Sequence, residues 1–204
     1  MRKLMVVVLA VLCLTIMLAQ TADKPIGTNE YMFSIPKFDS IAIAEADKAA
    51  EEILRNYTAA GGELVWQQLR EAKTNAGKVR LIYVLGRIRY KQAVTELIKM
   101  IDLQAEGIDP KTAIARWGRY PAAEALARIG TDSTKTMNSI VRVLGTEENE
   151  LRRKLMVRVL AEVLDKEVAQ FAVERALKNA ADAEKPNYEK ALAVLKVDHF
   201  GLEY

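Results

Sequence analysis

Cysteine and histidine are almost missing from this chain, which has one of each, Cys13 and His199, in 204 residues. A single cysteine excludes an intramolecular disulfide and a thiolate metal site, and a single histidine excludes metal sites built on paired imidazoles. No segment alternates apolar and polar residues for the length of a strand. No G-x-S-x-G, phosphate-binding glycine loop or H-E-x-x-H occurs either. Charge of one sign is also lacking, with 30 basic residues against 27 acidic, which argues against a global attraction to nucleic acid. What remains is a chain that must hold itself together by an apolar core.

The first residues, MRKLMVVVLAVLCLTIMLAQTADK, place Arg2 and Lys3 before an uncharged apolar run from Leu4 to Ala19, followed by small and polar residues. That is the layout of a secretory leader, and a run of sixteen is shorter than the ~20 residues a membrane-crossing helix needs. The expectation is an exported chain: a signal peptide over 1–22, an extended lead-in over 23–38 carrying Pro25, Gly27 and Pro36, and a helical domain over 39–204. Cleavage removes Arg2, Lys3 and Cys13, leaving 28 basic residues against 27 acidic, a net charge of +1. The mature chain is then free of cysteine and of any membrane span, and sits in the periplasm or outside the cell.

From Asp39 onward the pattern is helical. Ala46, Ala49, Ala50, Ile53, Leu54 and Tyr57 recur at i, i+3, i+4, i+7, i+8 and i+11, and Gly61-Gly62 is expected to stop that helix. Val65, Leu69 and Ala72 mark a second helix closing before Gly77, KVRLIYVLGRIR a third, and Ala93 to Ile101 a fourth. DLQAEGIDP interrupts. Further stripes run through Tyr120 to Gly130, Met137 to Gly145, Asn149 to Leu164, Lys166 to Ala181 and Asn187 to Val197, the last as a cap.

Three segments align: VRLIYVLGRI (79–88), YPAAEALARI (120–129) and LRRKLMVRVL (151–160) share apolar residues at the first, seventh and tenth positions. A second amphipathic helix follows each. Such spacing of helical pairs falls in the range of solenoid repeats. For the third copy a register one turn later also fits, because Leu160-Ala161-Glu162-Val163 matches Leu85-Gly86-Arg87-Ile88 and Leu126-Ala127-Arg128-Ile129. The pattern resembles HEAT-like repeats, in particular the short bacterial kind of the phycobilisome lyases, whose first helix reads roughly V-R-x-x-A-A-x-A-L-G-x-I-G. Val79-Arg80 and Leu85-Gly86-x-Ile88 carry one match, and Ala122-Ala123-x-Ala125-Leu126-Ala127-x-Ile129-Gly130 another. The resemblance implies an all-α solenoid of antiparallel helix pairs and leaves function open. The lyases act on cytoplasmic bilin proteins, so an export leader argues against that activity, and the lone His199 excludes the ligand set of HEAT-repeat hydroxylases.

The candidate binding residues are cations at the starts of the first helices: Lys78 and Arg80, Arg116 and Arg119, and Arg152 with Arg153, joined by the aromatic Trp117. Stacked repeats would align them along one edge. They either pair with acids of neighbouring repeats and cover apolar surface with their stems, or form an acceptor surface for an anionic partner. Trp66, Trp117, Tyr83, Tyr90 and Tyr120 could stack on sugars or fill seams between helices. Acidic groups at Glu45, Asp47, Glu51 and Glu52, and at Glu147, Glu148 and Glu150, would serve a hydrolase only if two converged in a cleft; solvated helix faces or negative charge at helix starts explain them otherwise. The expected function is a non-catalytic scaffold or adaptor for another envelope or secreted protein, with no cofactor or metal. The alternatives are a module for an anionic or carbohydrate polymer and an envelope hydrolase.

Overall fold

The computed structural model describes residues 43–56, 58–105 and 117–197. The leader, the lead-in, Arg116 and His199 lie outside the described residues. Within them all regular structure is helical, with no strand. The helices are α1 (Ile43–Asn56), α2 (Thr58–Glu71), α3 (Asn75–Arg87), a 3-10 turn (Lys91–Ala93) leading into α4 (Val94–Lys99), α5 (Pro121–Gly130), α6 (Thr134–Leu144), α7 (Glu150–Leu164), α8 (Lys166–Asn179) and α9 (Lys185–Lys196). Among the described residues no helix is long and apolar enough to cross a membrane.

Local chemistry sets most boundaries. Thr74 Oγ1 accepts from the Gly77 N–H at 3.0 Å and starts α3; Ser133, Asn149 and Asp165 do the same for α6, α7 and α8. Pro121 opens α5, where a missing N–H costs nothing. At the end of α3, Arg89 takes a left-handed φ of 52°. Its N–H donates to Gly86 O, and that of Tyr90 to Leu85 O. This is a Schellman termination with arginine where glycine is the common choice.

The break expected at Gly61-Gly62 is not found there: α1 ends at Asn56, α2 begins at Thr58, and both glycines lie buried inside α2. Their purpose is proximity. A Cβ on Gly62 would lie 2.3 Å from Cδ2 of Tyr90, so the bare backbone lets that ring pack against α2. Gly77 likewise belongs to the first turn of α3 and Gly130 to the last of α5.

Packing follows chain order. Each of α1, α3, α5, α7 and α9 lies against the next, and the intervening helices pack onto the members of that row. Helix α4 also touches α6, and α6 touches α8. In α3 the whole run Leu81 to Leu85 is buried, as a helix flanked on several sides requires. Helix α5 is covered by α3, α4, α6 and α7. Ala122, Ala123, Ala125, Leu126 and Ile129 are at most 1% exposed, and Glu124 and Arg128 are the residues that reach outward. On α1, Ala46, Ala49, Ala50 and Ile53 are buried as the periodicity predicts, while Leu54 is 45% exposed.

Candidate functional site

The cations at the helix starts separate into groups that do different things. Arg152, in the first turn of α7, sits where α4 ends. Its Nε donates to Glu147 Oε2 at 2.8 Å, and Nη1 to Asp102 Oδ1 at 2.9 Å and to Lys99 O at 2.8 Å; Nη2 donates to Ile98 O at 3.1 Å. The last carbonyls of a helix have no partner within it, and the planar guanidinium supplies one while pairing with two carboxylates. Burial works against its charge, but Glu147 and Asp102 outweigh that and hold its pKa above the ordinary value. Arg153 is 4% exposed and its Nη2 donates to the carbonyls of Glu147 and Glu148 at 2.8 and 3.0 Å.

Lys78 and Arg119 stand apart from that network. Arg119 precedes α5 and is exposed; its Nε and Nη2 both donate to the neutral Gln104 Oε1, at 3.2 and 3.0 Å. Its carbonyl accepts from the Ala105 N–H at 2.9 Å, so the chain leaving α4 is fastened beside it. Lys78, on the first turn of α3, lines a depression of about 420 Å³ with Asn75, Lys99, Met100, Asp102, Leu103 and Gln104. Three of the expected binding residues therefore surround one feature: Lys78 in its wall, Arg119 through Gln104 and Arg152 through Asp102. Arg80 is half-buried on α3. A second depression, about 390 Å³, lies between α4 and α6 and is lined by Lys91, Lys135 and the hydroxyl residues Thr95, Ser133, Thr136 and Ser139.

The aromatic candidates are mostly interior. Trp117 is 8% exposed, meets Tyr83 edge-on at 4.7 Å and has the Arg128 guanidinium 5.1 Å from its ring. Tyr90 is buried against Trp66 and its hydroxyl donates to Glu63 Oε2 at 2.6 Å. Burial and that acceptor push the Tyr90 hydroxyl above its ordinary pKa. Arg70 lies 4.4 Å from the Trp66 ring. The indole N–H groups of Trp66 and Trp117 are buried and find no acceptor among the described residues.

A polar seam across the first-helix row is a feature that the sequence reading missed. Arg87 on α3 reaches Glu51 on α1 at 3.3 Å and Tyr83 Oη at 2.8 Å. Glu124 on α5 accepts from Arg158 on α7 at 2.5 Å, and Glu162 lies 3.9 Å from the same guanidinium. Arg87 was readable as the one charged position in Leu85-Gly86-Arg87-Ile88, but its partner Glu51 on another helix was not. Burial raises the Glu124 carboxyl above its ordinary pKa; Arg158 opposes that shift and Glu162 adds to it.

No family model, curated protein or solved structure matches the chain. Its site must be read from its own chemistry. The acidic residues set out as hydrolase candidates are dispersed: Glu147 is held by Arg152, Glu150 pairs with Lys154 at 2.7 Å, and Glu45, Glu51, Glu52 and Glu148 are exposed. Among the described residues, Glu124 with Glu162 and Asp102 with Glu147 each share one guanidinium, that of Arg158 and of Arg152. Among the described residues no group of three histidine, cysteine, aspartate or glutamate side chains is placed to hold a metal ion. The depression beside Lys78 presents two lysines, one carboxylate, the amides of Asn75 and Gln104 and two apolar side chains.

Proposed function

We propose that this chain is an α-solenoid of HEAT-like helix pairs that works as a non-catalytic adaptor, binding another protein in the bacterial envelope after export. The observation that carries this reading is the chain-order packing of α1, α3, α5, α7 and α9. Each unit is braced by its neighbours, and a stack of this kind extends its surface with every unit added. The export leader read at the N-terminus supports the location.

Binding of a polyanion or a carbohydrate polymer is the less favoured reading, on two observations. Arg152 and Arg153 are committed to carboxylates and carbonyls of the fold, which removes both from a cationic edge open to a polyanion. Trp117, Tyr83 and Tyr120 are buried and present no open ring face for a sugar. The test is capture from the cell's own envelope fraction on the immobilised full chain, at low and at high salt. The adaptor reading expects a defined protein that is retained at a salt concentration that strips dextran sulfate from the same chain. Retention of polysaccharide alone, lost steeply with salt, would reject it.

A further inference from the structure

We infer that the depression between α3 and the end of α4 is the docking site for an acidic segment of the protein partner, with a carboxylate on Arg119 and Lys78 and an apolar side chain on Met100 and Leu103. This rests on the adaptor reading and specifies the partner's chemistry.

Arg119 is exposed and forms no ion pair among the described residues; its fork is occupied by the side-chain oxygen of Gln104 through two donors. Those two donors form the guanidinium edge that can take both oxygens of a carboxylate, and here they converge on one neutral amide oxygen of weaker attraction. An incoming carboxylate displaces Gln104 and gains a charge-assisted pair. Lys78, which lines the depression together with Gln104, likewise has no carboxylate partner among the described residues, in contrast with Arg87, Arg89, Lys99, Arg152, Lys154 and Arg158. Met100 and Leu103 are partly exposed apolar residues of the same lining, and a methionine adapts its shape to varied side chains. A volume of about 420 Å³ lies within the usual range of ligand clefts.

The surrounding charges favour a sparse acidic segment over a dense polyanion. Asp102 lies in the lining, and Glu96 and Glu147 are close by, paired with Lys99 and Arg152. A polymer charged at every unit must place anions against these carboxylates. A peptide with acids spaced by apolar residues need not.

The experiment measures fluorescence anisotropy of a labelled peptide of alternating glutamate and leucine titrated with the full chain, alongside the same peptide with glutamine for glutamate. The acidic peptide should bind about tenfold more tightly than the glutamine version, and Lys78→Glu with Arg119→Glu should weaken it by about tenfold or more. Gln104→Ala, which frees the fork without changing charge, should tighten it. Helical circular dichroism checks that each variant folds, and Lys190→Glu with Lys196→Glu, on the remote α9, controls for net charge. Absence of binding, equal binding of the glutamine peptide, equal loss in the α9 control, or displacement by dextran sulfate as effective as by unlabelled peptide would each overturn the proposal. If the peptide fails while an envelope protein is still retained by the full chain, the docking site is wrong and the adaptor reading stands. If the peptide behaves as expected but no envelope protein is retained, the site stands and the adaptor reading falls.

Discussion

Gly86 sets helix propensity against packing. Alanine in its place would gain about 1 kcal/mol of propensity, yet the new Cβ would lie 2.2 Å from Cη2 of Trp117 and 2.8 Å from Cα of Ala125 on the neighbouring helix. Backbone on one side and a packed ring on the other leave little room to yield. Gly86→Ala is therefore expected to destabilise by about 1–3 kcal/mol in urea unfolding; a rise in stability would mean that α3 and α5 are not in close contact. Glu124 gives a second residue-scale outcome. Its folded pKa is raised above the ordinary 4.5, by burial first, with Arg158 opposing and Glu162 reinforcing, and Arg128 also facing it. A raised acid favours the folded state fully below the ordinary value, and that contribution is lost as pH rises through the folded pKa. The melting temperature of Glu124→Gln relative to the parent should hold steady below pH 4.5 and move in the variant's favour above it; a difference independent of pH would contradict the assignment. At this scale the sequence was readable where a residue's purpose is local. The alanines of α5 announce close packing by their size, whereas Gly62 serves Tyr90, which lies far along the chain, and only the folded contact separates that role from a turn.

Elements were legible where periodicity and caps agree. Asn149 to Leu164 and Lys166 onward emerge within a residue or two, because Asn149 and Asp165 cap what the apolar stripes outline. The first two helices were displaced because a pair of glycines is a turn signal in isolation and a close-approach site in context. The joint between α4 and α7 was hidden for another reason: Arg152 and Asp102 are remote in sequence, and their meeting depends on how the helix pairs stack. Arg152→Ala should cost about 2 kcal/mol, allowing for the 20% exposure of the side chain. Arg152→Lys should recover less than half of that, since one ammonium cannot span two carboxylates and two carbonyls. Lys154→Ala, beside a fully exposed Glu150, should leave the unfolding midpoint unchanged. Equal effects at 152 and 154 would remove the joint from the account. Asn149→Ala tests the cap alone and should cost about 1 kcal/mol.

For the molecule as a whole, the all-helical class was legible throughout, since no stretch of sequence supports a strand. The order of packing was legible only through the alignment of three segments. The proposed binding surface was half legible: the positions of Lys78, Arg119 and Arg152 at helix starts were visible, but not that Arg152 is occupied by the fold while Lys78 and Arg119 pair with no acid among the described residues. Gln104, Met100 and Leu103 carried no signal, because an amide and two apolar residues after a short helix look like any other turn. The central claim is that this surface meets another protein, and site-specific photo-crosslinking in the cell tests it most directly. With a benzophenone amino acid replacing Lys99, at the rim of the depression, the account expects one discrete protein adduct that is missing when the same group replaces Lys178 on α8. No protein adduct from position 99, or the same adducts from both positions, would contradict it.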